Sequence, residues 1–251
     1  MATPAVIIDL RKALSERFQQ RPVPARSFVT TGFPFLDRVN GGGLPKSAIT
    51  ELITPKQSAG SASLIHGLLR SAHKDRHFVA LIDGSDSFDP GSSENSILRH
   101  LLWVRCQKAF DAIKAADLLL RDGNFPVVIV DLVLNAPAEL RKIPQTSWYR
   151  LQRLAETVPT ACLIINRQSV VSSAQLKIVL ENSWTLEALE KENAISHLRF
   201  RVQRFAGANF AAGGRELLAN RSREADDSVL VKTERSHLNS TGGRRAVGAI
   251  Y

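Results

Sequence analysis

Between Glu51 and Ile65 the chain reads ELITPKQSAGSASLI: an apolar segment, a stretch of small and polar residues, and the opening of an amphipathic helix. A loop in that setting can bind phosphate. Glycines let backbone N–H groups wrap the oxyanions, a lysine supplies a point charge, a Ser or Thr hydroxyl holds Mg²⁺, and the helix start adds its dipole. Counted against that spacing, Thr54 stands at the first glycine, Ala59 at the second, Gly60 at the lysine and Ser61 at the hydroxyl. Lys56 lies on the wrong side of the loop to replace the missing cation. A charge-assisted hydrogen bond contributes about 1.5–3 kcal/mol, and more where charge develops in a transition state. The expectation is a strand-to-helix turn that keeps its shape without its ligand, with Thr54, Gly60 and Ser61 as the remnant of a nucleotide loop. Weak nucleotide or anion binding is the alternative.

The other residues with chemical potential are basic. Thirty-three Lys and Arg against 24 Asp and Glu leave a net charge of +9, which suits nucleic acid or an acidic partner. Arg141, Lys142, Arg150 and Arg153 cluster around one expected helix, Arg199, Arg201 and Arg204 lie on or beside the last expected strand, and Arg244 and Arg245 lie near the end of the chain. Such groups neutralise phosphates in a salt-sensitive, sequence-independent way; a solvated or partner-contacting basic face is the alternative. Tyr149 and Trp148 could stack on bases, although Trp148 fits an apolar helical stripe and reads as core. The six histidines are dispersed, and no pair has metal-ligand spacing supported by a Cys or carboxylate. Cys106 and Cys162 sit in apolar runs and read as buried free thiols of a reducing cytoplasm. No stretch approaches the roughly 20 apolar residues of a membrane span, and the charged N-terminal segment does not read as a signal peptide.

The elements that must position these groups follow from periodicity. Apolar runs at 48–53, 77–83, 100–105, 126–133 and 161–166 read as strands, several of them buried on both faces. Between them Ser61, Leu64, Ile65, Leu68, Leu69 and Ala72 form one helical stripe. Ala109, Ile113, Ala116 and Leu120 form a second, closed by Gly123, and Trp148, Leu151, Leu154 and Ala155 form a third. This alternation implies an α/β fold with a mainly parallel sheet. After Asn166 the pattern changes: LKIVLE, SWTLEALEK and SHLRFRVQRF read as neighbouring strands without intervening helices, the last half-exposed and antiparallel with a basic outer face. Residues 1–28 read as an amphipathic helix (Ile7, Leu10, Leu14, Phe18) and a proline-rich linker, 29–212 as the core, and 213–251 as a flexible tail.

Read together, TTGFPFLDRVNGGGLPKSAITELITPKQSAG, ALIDGSDSFDP, PVVIVDLV and ACLIINRQS resemble, in order, the motifs of the RecA core ATPase, over roughly residues 30–212. The resemblance implies a RecA-like α/β sheet flanked by helices, with antiparallel strands at the C-terminal side. It puts Asp131 in the place of the Mg²⁺-coordinating aspartate, Ser85 in that of the catalytic glutamate with Asp86 beside it, and Arg167 in that of the γ-phosphate-sensing glutamine after a kept Asn166. It also makes NRQSVVSSAQ a much shortened second DNA loop, which adds Arg167 to the candidate DNA- or partner-binding residues. LLWVRCQKAFDAIKAADLLLRDGNFPVVIVDLV and WYRLQRLAETVPTACLIINRQ resemble the ImuA family, RecA-like proteins encoded with a mutagenic polymerase cassette.

That second resemblance implies a cytoplasmic, non-catalytic accessory of damage-induced (SOS) translesion synthesis, without a bound cofactor. Its implied partners are an ImuB-like Y-family-type polymerase homologue and an error-prone polymerase, with RecA and single-stranded DNA as further candidates. Two alternatives stand beside it: an active DNA-dependent RecA-type ATPase, in which ATP and Mg²⁺ would be bound, and a modulator of RecA filaments.

Overall fold

A computed structural model describes residues 27–39, 41–56, 60–182 and 199–205. The amphipathic segment, the linker up to residue 26, the SWTLEALEK segment, the expected tail and Arg244 and Arg245 lie outside the described residues. Among the described residues the strands are β1 (Phe28–Val29), β2 (Leu44–Pro45), β3 (Ala48–Ile53), β4 (Val79–Asp83), β5 (Leu101–Arg105), β6 (Val127–Asp131), β7 (Ala161–Asn166), β8 (Leu176–Leu180) and β9 (Phe200–Phe205). The helices are α1 (Pro34–Val39), α2 (Ser61–Lys74), α3 (Asn95–Leu98), α4 (Ala109–Asp122), α5 (Pro137–Leu140) and α6 (Gln145–Thr157).

Seven strands form one sheet in the order β5-β4-β6-β7-β3-β8-β9, parallel except for the final β8–β9 pair. The expected α/β, RecA-like architecture is therefore present. The continuous apolar runs were the right signal, because the central strands are covered on both faces. Leu64, Leu68 and Leu69 of α2 pack with Leu52, Leu81, Ile129 and Leu163 on one side. Ile113 and Leu120 of α4 and Trp148 and Leu151 of α6 pack with Ile49, Ile82, Val130 and Ile164 on the other. Trp148 is fully buried, as its stripe implied, and both cysteines are buried and unpaired. Burial pushes the Cys162 thiol up to about 12.

Two features were not expected. The glycine run after α1 lets the chain fold back so that β2 pairs with β1. Gly43 adopts φ +118°, and a Cβ there would fall 2.0 Å from the Val29 carbonyl oxygen, so only glycine fits.

The second is Glu51, fully buried in the middle of β3. The connection from β7 to β8, residues 167–175, is not a helix. Val171 and Ala174 of this strap are buried against the α4–α6 side of the core. A strap without helical hydrogen bonds leaves buried N–H groups that need acceptors. Glu51 supplies them. Its Oε1 accepts from Val170 N–H (2.7 Å), Val171 N–H (2.9 Å) and Asn166 Nδ2 (3.2 Å). Its Oε2 accepts from Ser169 Oγ (2.9 Å) and lies 2.7 Å from Lys177 Nζ on β8, which neutralises the charge.

Removing one partner of a buried ion pair leaves an uncompensated charge, at a cost of about 3–5 kcal/mol. Glu51→Ala is therefore expected to lower the unfolding free energy by about that amount, read as a lower urea midpoint, and adding Lys177→Met is expected to recover part of it. Equal midpoints for Glu51→Ala and the double variant would show that the pairing does not carry the effect.

Candidate functional site

The carboxyl ends of β3, β4, β6 and β7 meet the start of α2, the place where an open parallel sheet binds ligands. Thr54, directly after β3, is buried and ties to the end of β7: its N–H (2.8 Å) and its Oγ1 (3.1 Å) both donate to the Asn166 carbonyl oxygen. Lys56 is exposed, and residues 57–59 lie outside the described residues.

Gly60 precedes the first turn of α2 with φ 97°, a left-handed conformation that a lysine would adopt only under strain. By count Gly60 stands at the lysine position; by conformation it acts as the glycine, which makes Ser61 the first helical residue. Without an acidic residue in its first turn, α2 keeps the positive end of its dipole unneutralised by its own side chains.

Asp131 ends β6 and pairs in register with Asp83 at the end of β4. The two carboxylates are held differently. Asp83 accepts from the N–H groups of Ser85 (3.2 Å), Ser87 (2.7 Å) and Phe88 (2.7 Å), and so shapes the loop after β4. Asp131 accepts from Val133 N–H at 3.0 Å. Burial pushes its carboxyl up to about 6; the Val133 bond works against this and the Asp83 charge adds to it. Asp86, the residue beside the expected glutamate position, is held by both Nε and Nη2 of Arg105 at 2.5 Å. This exposed pair, chiefly through its hydrogen bond, lowers the Asp86 carboxyl below its ordinary value. The Asn166 side chain turns toward Glu51, and Arg167 is half-buried with its Nε making no hydrogen bond. Thr54, Gly60, Ser61 and Asp131 thus share one end of the sheet. Gly60 stands where the spacing of a phosphate loop calls for its lysine, and Lys56, exposed, lies four residues before it.

The basic candidates divide. Arg141, Lys142, Arg150 and Arg153 are exposed on and before α6. Arg150 is bound to Asp117 of α4 at 2.6 Å. Arg199 is exposed before β9, Arg201 pairs with Glu181 at 2.7 Å, and Arg204 Nη1 donates to the Ser172 carbonyl at 2.9 Å. Ser172 Oγ in turn donates to Gln145 Oε1 at the start of α6 (3.0 Å). The strap therefore joins two basic groups that the sequence placed about 60 residues apart into one strip. Among the described residues no group of three metal-ligating side chains forms, and no helix is long and apolar enough to cross a membrane.

In the unfolded chain Asp131 titrates near 3.8, below its folded value of about 6. Between those values the folded protein holds more protons, so stability falls as pH rises through the window and the penalty persists above it. Asp131→Asn is expected to raise the thermal midpoint near neutral pH by about 2–4 °C per kcal/mol relieved, and to match the wild type below the window. A difference that does not depend on pH would contradict this.

No protein-family model matches the chain. Among curated proteins it is similar to the RecA protein of Gluconobacter oxydans (strain 621H), 33% identical over 120 residues, which is 47% of this chain and 34% of that protein. The RecA of Thioalkalivibrio sulfidiphilus (strain HL-EbGR7) is 32% identical over 117 residues, 45% of this chain and 34% of its own length. That of Bifidobacterium breve is 30% identical over 125 residues, 49% of this chain and 32% of its own length. The match thus spans about a third of these relatives, and just under half of the chain is RecA-like in sequence within a RecA-like fold.

Proposed function

We propose that the protein is a catalytically degenerate, RecA-like accessory of DNA-damage-induced, error-prone translesion synthesis, which acts by scaffolding or regulating a polymerase complex through protein–protein contacts. The supporting observation is the contrast at the sheet end. A strand and a helix frame the sheet end as in a nucleotide site, while Gly60 occupies the conformation-restricted position before α2, at the place of the expected lysine, and Asp131 stands beside Asp83. Asp86, the carboxylate next to the expected glutamate position, is engaged by Arg105. On this reading the work has moved to the surface, where the strip from Arg141 and Lys142 through Ser172 to Arg204 is available to DNA or to an ImuB-like polymerase homologue.

Two measurements test the reading. ATP turnover is expected to stay at background with and without single-stranded DNA, and Asp131→Ala is expected to leave it there; DNA-stimulated turnover abolished by that substitution would replace the scaffold with a RecA-type ATPase. A tagged full-length chain isolated from DNA-damaged bacterial cells is expected to retain a Y-family-type polymerase or its homologue. Recovery without any polymerase-type protein would remove the accessory role.

A further inference from the structure

A further cluster of basic residues is assembled only by the fold. Residues 70–78 read RSAHKDRHF and residues 99–100 read RH. The pairing of β4 with β5 sets Val79 opposite Leu101 and brings the two stretches together at the free edge of the sheet. Val79 N–H donates to the His100 carbonyl (2.9 Å), and His73 Nδ1 lies 3.2 Å from His100 Nδ1. Around this contact Arg70, Lys74, Arg76 and Arg99 are all exposed, and none of them is in an ion pair among the described residues. The acid among them, Asp75, accepts from Thr30 Oγ1 (3.2 Å); the next, Glu94, lies at the start of α3. Phe78 is 54% exposed, with its ring 5.3 Å from that of His100.

Helix electrostatics accounts for part of this cluster. Cations in the last turn complement the negative end of the α2 dipole, which covers His73 and Lys74. Arg76 lies beyond the helix, and Arg99 comes from another element. Arg76 also adopts φ 56° in the position after the helix that favours glycine. A long cationic side chain is kept where the backbone prefers none.

We propose that the carboxyl end of α2 and the start of β5 form a docking surface for single-stranded nucleic acid, at the sheet edge opposite the β9 strip. Arg70, Lys74, Arg76 and Arg99 would neutralise phosphates, and the exposed Phe78 ring, backed by His100, would stack on an unpaired base. An unstacked base is what distinguishes this ligand from duplex DNA. The surface rests on the reading of a protein that works beside DNA, but on no nucleotide chemistry.

The test is fluorescence anisotropy of a labelled oligodeoxythymidine with the full-length protein across a salt series. Arg76→Gly removes a charge while placing glycine in the left-handed position it prefers, so it is expected to fold at least as well as the wild type. It should weaken binding several-fold and reduce the magnitude of the salt slope by about one. Phe78→Ala should weaken binding with little change in slope, and Arg70→Glu/Lys74→Glu should reduce it further. If these variants bind as the wild type does while Arg141→Glu and Arg204→Glu do not, the nucleic acid uses only the α6–β9 strip and the proposal is overturned. It is equally overturned if the wild type does not bind the oligonucleotide at low salt, or if duplex binds as well and Phe78→Ala changes nothing. The accessory role is judged separately, by recovery of its polymerase partner.

Discussion

A carboxylate in the middle of a central parallel strand is a costly thing to bury. Glu51 is tolerated because five donors converge on it, and the fold around the strap depends on that convergence. The strap replaces a crossover helix, so its amides at Val170 and Val171 have no partners of their own kind. One side chain from β3 answers them and, through Lys177, fixes β8 against β3. Asn166, which donates to Glu51, also receives both donors of Thr54. The loop position, the end of β7 and the β8–β9 edge are thus joined by a single ionised group.

The contrast with Asp131 is instructive. Both carboxylates lie within the same sheet, but Asp131 has one backbone donor and an acidic neighbour. Glu51 is satisfied within the chain, whereas Asp131 keeps an electrostatic deficit that the chain does not relieve.

Much of the fold was legible in the sequence. The runs AITELI and ACLIIN match β3 and β7 residue for residue, because strands covered on both faces show themselves as largely apolar stretches. The basic alternation of residues 199–204 was also legible as a half-exposed edge. The β1–β2 pair was not, since two-residue strands carry no period. Glu51 passed unnoticed inside an apolar run: its purpose depends on the strap and on the register of β8, neither of which is local. In the site, counting placed Gly60 at the lysine position, whereas backbone conformation gives it the role of the glycine. The cations near residues 70–76 and 99 were invisible as a group, because only the β4–β5 pairing unites them.

A surface connection usually tolerates changes in length, since few of its backbone groups are committed. The strap between β7 and β8 is a connection of the opposite kind. Its amides are anchored at Val170 and Val171, its Val171 and Ala174 side chains fill the core, its Ser172 carbonyl holds Arg204, and Gln175 exchanges hydrogen bonds with Ile49. An inserted residue would have to shift one of these attachments out of register. Within this chain the strap should therefore tolerate a change of residue type at its exposed positions better than a change of length, the reverse of the ordinary behaviour of a loop.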